Sequence, residues 1–138
     1  MTVREAAINI IRRLHEAGHE SYLVGGCVRD ELRGVAPKDY DISTSARPGE
    51  AEELFSKTKD VGKSKSFGVM LVVEGGKSFE VATFRTESGY ADGRHPNKVE
   101  FSDAQTDASR RDFTINGLFL DPVTNKIHDW VGGEADLE

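Results

Sequence analysis

The stretch Ser21-Tyr22-Leu23-Val24-Gly25-Gly26 restricts the fold of this chain more than any other. Its first four residues read as a short strand, and the two glycines break that pattern at once. Val28 to Leu32 then reads as a helix that begins near Cys27 and runs until Gly34. The chain therefore passes from strand, through a glycine turn, into a helix. Glycines let a backbone approach a phosphate closely. A helix N-terminus adds free N–H groups and a favourable dipole. Arg29 falls in the first turn of that helix, within reach of a phosphate oxygen. Alone, a glycine pair reads as a plain turn, and Arg29 with Asp30 equally as a surface ion pair.

The rest of the chain arranges itself around this unit. Residues 3 to 17 predict an amphipathic helix, with Ala7, Ile10, Ile11 and Leu14 at helical spacing and Gly18 as its stop. Pro37 to Ser43 predicts a strand. Thr44 to Pro48 signals entry into a helix running to about Lys57. Phe67 to Glu74 and Lys77 to Arg85 read as two strands joined by a tight turn at Gly75-Gly76. Residues 86 to 98 read as a polar loop, Val99 to Phe101 as a short strand, and Thr106 to Asn116 as a helix capped by Thr106 or Asp107. From Leu118 short apolar pieces alternate with turns, and Trp130 reads as core. No repeat or linker interrupts the chain, so residues 1–138 read as one domain.

Composition narrows the function classes. With 37% hydrophobic and 30% charged residues, the chain is neither disordered nor membrane-spanning. No apolar run nears the roughly 18 residues of a membrane span. Charges within the N-terminal apolar stretch argue against a signal peptide. The single cysteine, Cys27, excludes an intrachain disulfide and a cysteine zinc cage, and fits a reducing, cytoplasmic setting. A net charge of −6 argues against a domain that wraps nucleic acid by itself. An acidic domain of this kind takes phosphates through a metal ion or a few focused arginines.

Asp39-Tyr40-Asp41 is the strongest chemical feature. On a strand, positions i and i+2 face the same way, so the two carboxylates would stand side by side. Their repulsion is relieved by a cation between them, and Mg²⁺ takes carboxylates together with substrate phosphates. Taken alone, the triplet reads as a solvated pair at a strand edge. His15, His19 and His128 show no metal-ligand spacing and read as surface or structural residues.

Leu23-Val24-Gly25-Gly26-Cys27-Val28-Arg29-Asp30-Glu31-Leu32-Arg33-Gly34 followed by Asp39-Tyr40-Asp41-Ile42 resembles the signature of the class II tRNA nucleotidyltransferase and bacterial poly(A) polymerase family. A second block, Arg110-Arg111-Asp112-Phe113-Thr114-Ile115-Asn116-Gly117-Leu118, resembles that family's RRDFTINAL motif, in the right order and at the right separation. The resemblance implies an α+β, polymerase-β-like nucleotidyltransferase head, a small mixed β-sheet flanked by helices. It implies template-independent, metal-dependent addition of CMP or AMP, from CTP and ATP, to an RNA 3′ end, that of tRNA. By match, Asp39 and Asp41 would hold Mg²⁺. Gly26, Arg29 and Arg111 would contact the nucleotide, Gly25 would shape the turn, and Asp112 and Asn116 would order the second block or touch the ribose. Glu80 is the candidate third carboxylate, because it faces away from its apolar neighbours Phe79 and Val81. An exposed strand residue would look the same.

Two departures mark this chain. In Tyr90-Ala91-Asp92-Gly93-Arg94-His95-Pro96, which resembles the family's YxDxRRP loop, His95 stands for an arginine. Gly117 stands for the usual alanine of the second block. The family's neck, body and tail, which select the base and hold the RNA, are expected to lie outside these residues. Poly(A) synthesis is therefore an alternative to addition at the tRNA CCA terminus, and a nucleotide- and Mg²⁺-binding head without activity of its own is another. An aminoglycoside-type nucleotidyltransferase would share the sheet and the carboxylate pair but not the second block.

Overall fold

Helix α1 (Val3–Glu16) forms where the apolar spacing requires, and its first turn is closed by a reciprocal cap. The Thr2 hydroxyl accepts the Glu5 N–H at 3.1 Å, and the Glu5 carboxylate accepts the Thr2 N–H at 3.1 Å. That capping holds the Glu5 carboxyl below its ordinary range. Gly18, at φ +91°, ends the helix in the left-handed conformation that glycine adopts without strain. A computed structural model describes residues 2–55, 58–59, 68–88, 98–101, 103–109 and 118–129.

The elements that follow are β1 (Ser21–Val24), α2 (Gly26–Leu32), β2 (Asp41–Thr44), α3 (Pro48–Leu54), β3 (Thr58–Lys59), β4 (Val69–Glu74) and β5 (Lys77–Thr83). Then come β6 (Arg85–Ser88), β7 (Lys98–Phe101), α4 (Ala104–Ser109), β8 (Leu118–Asp121) and β9 (Lys126–Asp129). Among the described residues one seven-stranded sheet runs in the order β3-β4-β5-β2-β1-β8-β9, with β6 and β7 paired separately. β2 and β5 run parallel and the other described pairs antiparallel, so the sheet is mixed, as the resemblance implied.

Each face of the sheet has its own apolar layer. Leu23, Ile42, Val72, Phe79, Val81, Leu118 and Leu120 pack against the α1 stripe of Ala6, Ala7, Ile10, Ile11 and Leu14, with Cys27 and Val28 of α2. On the opposite face Val24, Phe84 and Phe119 pack against Ala104 and Ala108 of α4, with Tyr22 beside them. Buried hydroxyls knit the ends of β1, β2 and β5. Ser21 donates to the Thr44 hydroxyl at 2.9 Å, Thr44 to the Glu20 carbonyl at 2.7 Å, and Thr83 to the Ala46 carbonyl at 2.6 Å.

Several boundaries differ from those the sequence predicts. The strand expected over Pro37 to Ser43 begins only at Asp41, so Asp39 and Tyr40 belong to the preceding link. α2 starts at Gly26, ahead of the apolar pattern. α3 stops at Leu54, because Phe55 turns extended and buries its ring in the core. Part of the expected loop from residue 86 is strand β6, paired with β7. α4 begins at Ala104, and Asp107, expected as its cap, is buried inside it. The carbonyl of Asp103 accepts the Asp107 N–H at 3.0 Å and closes that first turn. The remainder of the predicted helix to Asn116, the Tyr90–Pro96 loop and Trp130 lie outside the described residues. Truncating the fully buried Leu14 to alanine removes part of the α1 seam. Leu14→Ala is expected to lower the unfolding free energy by about 3 kcal/mol in urea titration.

Candidate active site

The strand–turn–helix unit places the glycines next to the carboxylates. Val24, the last residue of β1, pairs with Asp41, the first of β2. Gly25 follows at φ +76° and ψ −144°, a conformation that a side chain resists. A Cβ on Gly25 would lie 3.9 Å from the Asp41 Oδ2, so the carboxylate lies against the turn. A Cβ on Gly26 would meet the Arg29 Nη2 at 3.4 Å, so that guanidinium folds back over the second glycine. Its Nε bonds Asp30 Oδ1 at 3.2 Å. The neighbouring carboxylate thus orients Arg29 at the turn, so the ion pair expected for Arg29 and Asp30 is present.

The parallel β2–β5 pairing brings in Glu80. Ile42 sits opposite Val81, so one step back along both strands sets Asp41 level with Glu80. Phe79 and Val81 are buried and Glu80 is exposed, the alternation expected from the sequence. Asp39, Asp41 and Glu80 line one cleft of about 590 Å³, together with Lys38, Tyr40 and Lys77. A second hollow of about 360 Å³ is lined by Gly26, Cys27, Asp30, Lys38, Asp39 and Asp41. The carboxylate pair therefore lies where the cleft and the glycine turn meet. Such volumes suit a small ligand of nucleotide size. Lys38 and Lys77 were not evident from the sequence. Lys38 adjoins Asp39 in the chain, but Lys77 reaches this cleft only through the β4–β5 hairpin and the β2–β5 pairing.

The donors are hard oxygens, the set that suits Mg²⁺ rather than a softer metal. Among the described residues no three His, Cys, Asp or Glu side chains cluster tightly enough to enclose an ion. Asp39 and Asp41 offer such oxygens to the cleft, and Glu80 stands on the same wall. Arg111, Asp112 and Asn116 lie outside the described residues.

Two other groups beside the site are pinned. The Cys27 thiol donates to the Val24 carbonyl at 3.2 Å, and burial pushes it up to about 11. Burial pushes the Tyr40 hydroxyl up to about 12, and the Glu31 carboxylate adds to that shift. Each of the three described histidines has a neighbour within the fold. His15 Nε2 lies 3.1 Å from the Ser21 carbonyl, His19 lies 3.7 Å from Glu50, and His128 meets the Tyr22 ring edge-on.

The family model for the Poly A polymerase head domain matches residues 21–138. The chain belongs to that family. It is 48% identical over 133 residues to the CCA-adding enzyme of Bacillus pumilus, covering 96% of this chain and 32% of the relative. The fold superposes on the Bacillus stearothermophilus CCA-adding enzyme in complex with CTP with a TM-score of 0.85 at 37% identity, over 99% of this chain and 32% of that one. It also superposes on a tRNA nucleotidyltransferase complexed with a primer tRNA and an incoming ATP analog, with a TM-score of 0.70 at 26% identity. That match covers 93% of this chain and 36% of the other. The chain thus spans about a third of the length of the curated relatives it matches. No helix among the described residues is long and apolar enough to cross a membrane.

Two measurements test this geometry. Gly25→Ala is expected to cost about 1–3 kcal/mol of stability in urea titration, because alanine cannot hold the Gly25 conformation without strain. The Cys27 thiol should resist iodoacetamide at pH 8 in the folded chain and react once urea unfolds it. Its raised folded-state pKa also means that unfolding is favoured as pH climbs from the ordinary thiol range towards about 11. The sign follows because the unfolded chain releases that proton first.

Proposed function

We propose that this chain is the catalytic head of a template-independent RNA nucleotidyltransferase that adds CMP and AMP, from CTP and ATP, to the CCA terminus of tRNA. The observation that carries the reading is the Asp41 carboxylate lying against Gly25, with Asp39 and Arg29 at the same turn. The family match and the CCA-adding relatives at 43–48% identity support it. A cytoplasmic setting goes with it, in keeping with the lone buried cysteine.

Phosphoryl transfer asks a protein mainly to position groups and neutralise charge. Asp39 and Asp41 would hold Mg²⁺, which when bound supplies charge neutralisation at the phosphates and acidifies the RNA 3′-hydroxyl. Gly25 and Gly26 keep side chains away from the turn, so a triphosphate can approach the backbone. Arg29, steered by Asp30, supplies positive charge over Gly26. Arg111, Asp112 and Asn116 would complete the nucleotide contacts from the second block. The RNA 3′-hydroxyl loses its proton to solvent as its oxygen bonds to the α-phosphorus, the bond from that phosphorus to the oxygen it shares with the β-phosphate breaks, and pyrophosphate leaves. Glu80, on the cleft wall, is the candidate third carboxylate.

A second reading, a nucleotide- and Mg²⁺-binding head that needs further protein for catalysis, is favoured by the one-third coverage of the relatives. Poly(A) synthesis shares every head motif. Calorimetry of CTP and ATP, with and without Mg²⁺, separates the possibilities. Mg²⁺-dependent binding of both nucleotides with similar affinity, lost in Asp39→Ala/Asp41→Ala, is the expected result and assigns base choice to residues outside this chain. Unchanged binding in the double variant would overturn the metal assignment. Steady incorporation of CMP and AMP into tRNA by the 138 residues alone would overturn the second reading.

A further inference from the structure

The link between α2 and β2 carries Asp39 and leads into Asp41, yet burial holds it at one point. Residues 33–36, 38 and 39 are exposed and Pro37 is half-buried, whereas Tyr40 is 7% exposed. The Val35 N–H still bonds back to the Asp30 carbonyl at 2.8 Å, before the link crosses to β2. Tyr40 then drops its ring into the main core, between two carboxylates that remain in solvent. It shares a hollow with the Glu31 carboxylate of α2, near enough for that charge to add to the upward shift of its hydroxyl. Glu31 is gripped in turn by Arg4 on α1, whose Nε lies 3.2 Å from Oε1 and 3.3 Å from Oε2. Arg4, Glu31 and Tyr40 line a hollow of about 510 Å³, with Val35 and Pro37. Tyr40 also lines the carboxylate cleft, and Arg4 and Glu31 line the neighbouring hollow instead.

Packing alone would be served by phenylalanine at position 40. A hydroxyl buried against a charged partner, itself fixed by an arginine from another helix, is a directional restraint. Such restraint matters here because two like charges two residues apart push each other away. A link anchored at one side chain lets them part. We infer that Arg4, Glu31 and Tyr40 form a positioning triad that holds Asp39 and Asp41 at the spacing a divalent cation needs. The inference rests on the proposed reading of Asp39 and Asp41 as metal ligands. The three are positioning residues. They act through the backbone on either side of Tyr40, as the outer groups of a metal site act on its ligands.

The test is Mn²⁺ binding in the presence of CTP, read as loss of the free-ion EPR signal, with urea unfolding alongside. Tyr40→Phe and Glu31→Gln are each expected to weaken Mn²⁺ about tenfold, the lower end of outer-group effects. Ile11→Val, which loosens the core without touching the triad, should leave Mn²⁺ affinity at the wild-type value. Because Arg4 and Tyr40 both act through Glu31, Tyr40→Phe/Arg4→Gln should bind no worse than the weaker single variant. Additive losses, or a matching loss in Ile11→Val, would overturn the triad. Wild-type affinity in Tyr40→Phe and Glu31→Gln, beside lost binding in Asp39→Asn/Asp41→Asn, would overturn the triad and leave the metal reading standing. Wild-type affinity in the double asparagine variant would overturn both. Should Tyr40→Phe fold poorly, Arg4→Gln decides alone, since that side chain is 40% exposed and its loss leaves the core intact.

Discussion

Leu23 and Ile42 face each other across β1 and β2, both are buried, and their register decides which side chains reach the cleft. Strand side chains alternate between faces, so a slip of one residue would turn Ile42 to the opposite face and Asp41 into the α1 layer. Burying an unpaired carboxylate there would cost far more than the fold can absorb. The apolar pair therefore secures the position of the charge beside it. The pairing of Val24 with Asp41 is the next step along the same ladder, and it is what brings the carboxylate against Gly25.

The site inherits its shape from this ladder and its charge from three separate segments. Asp39 and Asp41 come from the α2–β2 link and the start of β2, Glu80 from β5, and Arg29 from α2. Lys38 and Lys77 line the same cleft and soften a cluster of negative charge in an acidic chain. Support comes from the far side of the sheet, where the α1 stripe covers Leu23, Ile42 and Val81. Arg4 and Tyr40 join that support to the carboxylates through Glu31, so α1 bears on the site as well as on the core.

Much of this was legible in the sequence because local patterns carried it. The α1 stripe, the Ser21–Val24 strand, the glycine turn and the Gly75-Gly76 hairpin each rest on periodicity or on conformations that glycine alone takes easily. The structure places Gly75 and Gly76 at φ +58° and +78°. Asp39 was misplaced onto β2 because Asp-Tyr-Asp-Ile alternates like a strand although only its last two residues enter the ladder. The start of α4 was misread because Thr106 and Asp107 look like caps, whereas the interior of the fold buries Asp107 within the helix. β6 was hidden in a polar segment because its order comes from pairing with β7, not from an apolar pattern of its own.

By itself, the sequence determined the chemistry on offer: a glycine turn between strand and helix, a carboxylate pair, an arginine beside it and a second block that resembles a family motif. Those are local properties, set by residue type and spacing. Only the tertiary structure decided which of them meet. Glu80 and Lys77 lie far along the chain from Asp41, and the parallel pairing of β2 with β5 is what sets them on one wall. Tyr40 carries no local signal in the sequence beyond its place between two acids. Its burial against Glu31 and Arg4 depends on where α1 packs, and helix packing is settled by the shape of the whole core rather than by the residues on either side.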